Sequence, residues 1–181
     1  MKKTITYFIA FLSLNIFSQT KYITKTGIVN FEASVSSFEE VKAINNSATA
    51  IIEVESGAFA ALILVKGFRF KNALMEEHFN ENYAESDKYP KATFKGNLKD
   101  FSIEKLSSNT VFKISGSLTF HGKTKKLESI PLTFSREGVF INVSGNFKVN
   151  ASDFDIKIPK VVKDKVSETV EVSLNFSLKK T

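Results

Sequence analysis

The strongest constraint on this chain is an alternation of apolar and polar residues with a period of two. Val29, Phe31, Ala33 and Val35 alternate with Asn30, Glu32 and Ser34. Ala48, Ala50, Ile52 and Val54 do the same against Thr49, Glu53 and Glu55. Longer runs follow: Thr110, Phe112, Ile114, Gly116, Leu118 and Phe120; then Val139, Ile141, Val143, Gly145, Phe147 and Val149; then Val170, Val172, Leu174, Phe176 and Leu178. Successive side chains on a strand point to opposite faces, so each run lays one apolar row on one side. The polar rows between them suit antiparallel sheets with one face in water. Further strands are expected at 58–66, 91–101 and 125–135, making about eight in all.

The connections agree with hairpins. His121-Gly122 and Glu137-Gly138 each stand between two strand runs and supply a residue that tolerates positive φ. Pro131 inside a strand-like run implies an edge, a bulge or a bend. One segment breaks the pattern: Asn72 to Glu85 reads as a helix, with Asn72 as cap and Glu76 and Glu77 in the early turns. Leu74, Met75, His78, Phe79 and Tyr83 fall roughly on one stripe, and Pro90 keeps the helix out of the next strand. A second short helical or loop piece is expected over Ser37–Asn45.

At 181 residues the chain makes one domain, or at most two small ones, and it shows no repeat or linker. About eight strands with one apolar face close into a barrel or stack as a sandwich. A barrel of this size either fills with side chains or holds one small ligand. Gly116 and Gly145 stand in inward rows, where a glycine leaves space, permits a sharp bend, or does both. The composition adds 18 Phe without a single Trp, large rings that need a core or an apolar ligand to cover them. Together these favour an all-β antiparallel barrel of eight strands with one short helix, about 72–85, packed against it.

The first residues read as a secretory signal peptide. Lys2 and Lys3 precede a short apolar run, Ile5 to Leu14, and Ser18 supplies a small residue for cleavage near Ser18–Gln19. The run is short for a membrane span, and an uncleaved anchor is the alternative. The domain reading is therefore a signal peptide over 1–18 and a barrel domain over 19–181, in a periplasmic or secreted protein. Cleavage removes two of the 25 basic residues and none of the 19 acids, so the formal charge falls from +6 to +4.

Several chemistries are excluded or disfavoured. No Cys is present, so disulfides, thiolate catalysis and Cys-based metal sites are absent. Two His and scattered carboxylates make a poor metal set. The bases are interleaved with acids rather than gathered into a stripe, which argues against nucleic acid. There is no nucleophile elbow and no phosphate-cradling loop. His121 reads as a turn residue ordering its loop, with a ligand headgroup as the alternative partner. His78 lies within helical reach of Glu81 or Asn82. Asp153 and Asp155 would share a face of any strand there and could share a proton, but such a pair is more often solvated.

Three stretches resemble the YceI-like family of secreted lipid-binding barrel proteins: Glu77–Gly96 (EHFNENYAESDKYPKATFKG), Ile114–Lys125 (ISGSLTFHGKTK) and Asp153–Pro159 (DFDIKIP). Their order matches a helical segment ending in Tyr-Pro, a Gly-Xaa-Leu-Thr-Xaa-His-Gly strand and turn, and an aspartate-containing segment before a proline. The resemblance implies a lipocalin-like barrel enclosing a long apolar chain, such as a polyisoprenoid or a fatty-acid derivative. One departure is visible: the opening Tyr22-Ile23-Thr24-Lys25-Thr26-Gly27 lacks the Asp and the His-Ser pair found in many members.

The reading that follows is a non-enzymatic carrier, with a ligand-free filled barrel acting as an interaction module as the alternative. Its partner would be a long-chain apolar small molecule, with no cofactor beyond a bound lipid or isoprenoid. Transient contact with a membrane surface and a homodimer are both compatible with the sequence. The positions expected to line the lumen are Phe68, Phe70, Met75, Phe79, Phe94, Ile114, Leu118, Phe120 and Ile141.

Overall fold

The structure is a computed structural model and describes residues 19–36, 38–106 and 109–181. The expected signal peptide over 1–18 lies outside the described residues. The strands are β1 (Lys21–Ser34), β2 (Lys42–Glu53), β3 (Ala58–Leu64), a two-residue β4 (Arg69–Phe70), β5 (Lys91–Leu98), β6 (Thr110–Phe120), β7 (Lys123–Glu137), β8 (Phe140–Asn150) and β9 (Val166–Lys180). Hydrogen bonding runs β1-β9-β8-β7-β6-β5-β3-β2, and β2 pairs back onto β1. All pairings are antiparallel, so the eight long strands close into a lipocalin-like barrel and β4 hangs on the end of β2. Closure pairs each of the eight long strands on both sides over part or all of its length, leaving little exposed edge among the described residues.

The period-two rows explain which side faces in. Ala48, Ala50 and Ile52 of β2 are buried, as are Ile141 and Val143 of β8 and Phe176 and Leu178 of β9. On β7 the phase changes. Ile114 pairs with Ile130 but Gly116 pairs with Leu127, so Glu128 and Ser129 form a bulge. Ser129 has φ of 54°, and its N–H donates to Ser115 Oγ. The bulge turns both Leu127 and Ile130 inward. Pro131 follows it, at the point where pairing changes: β7 pairs with β8 only from Thr133 onward. The wall between β7 and β8 is thus parted toward one end. A 3₁₀ turn at Ala151–Phe154 fills the parting, and Leu127, Val149 and Phe154 pack there as a second small core.

Two local expectations change in the structure. The helix over 72–85 is a short α-helix, α1 (Ala73–His78), continued by one π turn at Phe79–Tyr83. Asn72 caps it, its side-chain oxygen accepting from the N–H groups of Leu74 and Met75. The helical or loop piece expected over Ser37–Asn45 is shorter, because β2 already begins at Lys42. Asn45 is fully buried in that strand. Its amide donates to Leu64 O, and its oxygen accepts from Ser47 N and Oγ, so both polar atoms of the buried side chain have partners.

Candidate functional site: an apolar cavity with a polar mouth

The two ends of the barrel differ. At one end Phe101, Phe112 and Phe134 meet edge to face or tilted, with ring centroids 5.2–5.6 Å apart. Tyr22, Ile52, Leu98, Ile141 and Leu178 pack with them in the main core. This end is solid. Toward the other end the interior holds a cavity of ≈ 450 Å³. It reaches the surface between the 38–41 loop, α1 with its π turn, and the 150–166 segment, where Phe38 and Leu74 line it and are also half exposed.

Eight of the nine expected positions line this cavity: Phe68, Phe70, Met75, Phe79, Phe94, Ile114, Leu118 and Phe120. Ile141 does not. It faces inward as the alternation requires, but it is fully buried in the solid end. Period two fixes the face of the sheet and is blind to depth along the barrel. Phe112 belongs to the solid end for the same reason.

The glycines in the inward rows do not enlarge the cavity. Gly96 and Gly116 are paired across β5 and β6, and the ring of Phe94 lies over both. Leu132 lies over Gly145 in the same way. Each missing Cβ is replaced by a neighbour's side chain laid against the backbone, in keeping with close packing of interiors. Phe94 then meets Phe59, which stacks on Phe176 at 6.1 Å.

At the mouth, Phe31, Phe68, Phe70 and Phe79 form a cluster with centroids 5.1–5.9 Å apart. It fastens the π turn to β1 and to the short β4 strand. Glu76 reinforces this joint, accepting from Arg69 Nη1 at 3.0 Å and from Phe70 N at 3.1 Å. The polar and charged lining residues are Glu39, Asn72, His78, Tyr83, Asn150, Lys165 and Ser167. All belong to the mouth segments or to the adjacent strand ends, so the deeper wall is hydrocarbon and aromatic. No group of three His, Asp or Glu side chains among the described residues is placed to hold a metal.

The three stretches singled out in the sequence converge at one corner beside the mouth. His121 and Gly122 form the β6–β7 turn with φ of 48° and 72°. His121 Nδ1 lies 2.9 Å from Phe154 O, and Nε2 lies 2.6 Å from Glu85 Oε2. The Tyr89 ring meets the His121 ring edge-on at 4.7 Å and covers Gly122, where a Cβ would stand 2.6 Å from it. Asp155 binds Lys123 at 2.6 Å and Asp153 binds Lys125. Asp153 also closes a capping box on Asn150. The segment is a 3₁₀ turn and not a strand, so the two aspartates do not face each other across a shared proton. Hydrogen bonds from their lysines hold both carboxyls below the ordinary aspartate range. This corner is a latch joining the 84–90 loop, the β6–β7 turn and the 151–155 turn. His121 is its hub, with its ring largely buried.

Lining residues beyond the expected nine include Phe31, Phe59, Phe154, Val172, Leu174 and Phe176. The strand residues among them stand in inward rows, so alternation places them inside. The β1–β9 pairing sets two of those rows side by side, with Phe31 opposite Val172.

A YceI-like domain model matches residues 17–178. The chain belongs to the YceI-like family. Its fold is similar to a polyisoprenoid-binding domain from Saccharophagus degradans, with TM-score 0.76 and 15% identity over 90% of this chain and 99% of that one. It is also similar to BcnA of Burkholderia cenocepacia, with TM-score 0.70 and 16% identity over 84% and 95% of the two chains. A YceI protein of Campylobacter jejuni aligns with TM-score 0.58 and 19% identity over 81% and 88%. A search of curated proteins returned no match.

Proposed function

We propose that this YceI-like protein is a non-catalytic carrier, periplasmic or secreted, that holds one long-chain amphiphile with its tail in the cavity and its headgroup at the mouth. The observation that carries this reading is the division of the lining, hydrocarbon within and polar only at the rim. Such a surface gains from burying methylene groups, at about 0.8 kcal/mol each, so ten carbons contribute about 8 kcal/mol without any polar anchor. It places no titratable group deep in the cavity where a reaction centre would need one. The family and the polyisoprenoid-binding description of the Saccharophagus degradans domain support an isoprenoid or fatty-acid tail. The N-terminal pattern of Lys2, Lys3 and the apolar run supports export.

The deciding experiment is organic extraction of the purified protein followed by mass spectrometry. One amphiphile per protein molecule is the expected result. An empty extract, with no uptake of added prenyl or fatty-acid ligands, would leave a ligand-free interaction module as the better reading.

A further inference from the structure

The lip of the cavity formed by the β8–β9 connection is two-faced. On its inner side Ile156, Ile158 and Val162 line the cavity. On its outer side Val161 is 84% exposed, the most exposed large apolar side chain described. Lys157, Lys160, Lys163 and Lys165 flank it in sequence, all exposed, and the exposed acids of the connection are Asp155 and Asp164. None of the four forms an ion pair among the described residues. Lys157 feels Asp155, but that carboxylate is already bound by Lys123. Elsewhere on the molecule some lysines are matched, Lys71 with Glu40, Lys66 with Asp87 and Lys125 with Asp153, and others such as Lys95 and Lys113 form no ion pair among the described residues. What sets this lip apart is four unpaired lysines close together in sequence around one exposed valine. The other lips carry the opposite net sign: Glu40 and Glu76 are paired with Lys71 and Arg69, but Glu39, Glu77 and Glu81 form no ion pair among the described residues.

We infer that this lip docks on the surface of an anionic bilayer, Val161 entering the headgroup–acyl boundary and the lysines meeting lipid phosphates. An apolar tip flanked by unpaired lysines suits a bilayer, because lysine stems lie along apolar surface while their ammonium groups reach the headgroups. A protein partner of ordinary interface size would call for a broad packed patch with aromatic anchors, and one exposed valine on a short 3₁₀ turn is not that. The acidic lips turn the rest of the mouth away, so contact is made through one side. Because the inner face of the same lip continues into the cavity wall, a tail leaving the bilayer would pass along side chains and not through open water. This goes beyond carrier function, and vesicle binding is read independently of the lipid extract.

The test is co-sedimentation with vesicles of phosphatidylcholine alone and of phosphatidylcholine mixed with phosphatidylglycerol. The wild-type chain should bind the anionic vesicles, bind the neutral ones weakly, and be released by salt. Lys160→Gln with Lys163→Gln should weaken anionic binding about 30-fold, at about fivefold per lysine. Lys95→Gln with Lys113→Gln, an equal charge loss on the barrel wall, should change it less than about fivefold in total. Comparing two pairs in otherwise identical protein cancels any contribution of residues 1–18. Val161→Trp introduces a fluorophore into a chain that has no other tryptophan, and its emission should shift to the blue on anionic vesicles alone. The inference is overturned if both lysine pairs weaken binding equally, if charge makes no difference, if no vesicle binds, or if the emission of the Val161→Trp variant stays unshifted.

Discussion

The ring of Phe94 lies across the backbone of Gly116, so close that a Cβ on Gly116 would stand 2.7 Å from its Cζ. The same Cβ would run into Lys95 O and would stand 2.6 Å from Gly96 Cα. Backbone atoms cannot swing aside as a side-chain tip can. Gly116→Ala is therefore expected to cost about 1–3 kcal/mol through overpacking. For a domain of this length that lowers Tm by about 2–12 °C, at about 2–4 °C per kcal/mol. Thermal melts by circular dichroism check this, and an unchanged Tm would contradict the packing described for β5 and β6.

Phe94 also tests the cavity. Phe94→Asp places a carboxylate in a wall that offers it no partner, where desolvation is costly. The variant should lose bound or added lipid while keeping its far-ultraviolet spectrum. Stoichiometric lipid in the folded variant would remove Phe94 from the binding surface.

Asp153 gives the latch a dependence on acid. Lys125 and the N–H of Asn150 hold its carboxyl below the ordinary value of 3.8. A carboxyl lowered in the folded state stabilises the fold above its unfolded value, and that contribution is lost as pH falls through the lower folded value. Asp153→Asn retains an acceptor for the capping box but has no charge to titrate. Wild type should therefore melt above the variant near neutral pH, and the gap should shrink only below about pH 4. A gap that stays constant down to about pH 2, below the ordinary carboxylate range, would separate Asp153 from any acid effect.

His121 holds two acceptors, the Phe154 carbonyl and the Glu85 carboxylate, on opposite ring nitrogens. Only a protonated ring donates to both while Glu85 is ionised. His121→Asn keeps a residue that tolerates the left-handed backbone but cannot span both partners. It should lose about 1–3 kcal/mol, read as a lower midpoint in urea with little change in slope. Equal midpoints would mean that the latch contributes nothing to stability.

Much of this architecture is legible in the residues because it depends on local rules. Alternation places Val29, Phe31 and Ala33 on one face whatever the strand pairs with. His121-Gly122 must turn, since both residues take positive φ. Asn72 caps because its side chain sits two and three residues before unpaired N–H groups. Other features depend on residues far apart in sequence. Ile114 and Ile141 carry the same inward signature, but only Ile114 meets open space. Plugging by Phe101, Phe112 and Phe134 decides this, through contacts of Phe101 with strands β6 and β7. Whether Gly116 leaves space or permits a bend is open in the residues until Phe94, 22 residues earlier, is seen to lie over it. Asp153 and Asp155 would share a face only on a strand, and the 3₁₀ turn instead hands them to two different lysines. The sequence by itself determined which faces are apolar and where the chain reverses, because backbone geometry and local hydrogen bonds act over a few residues. Only the closed tertiary structure decided which end is solid, how much space remains, and which charges stay unpaired at its rim, because those follow from packing between segments that meet only when the barrel closes.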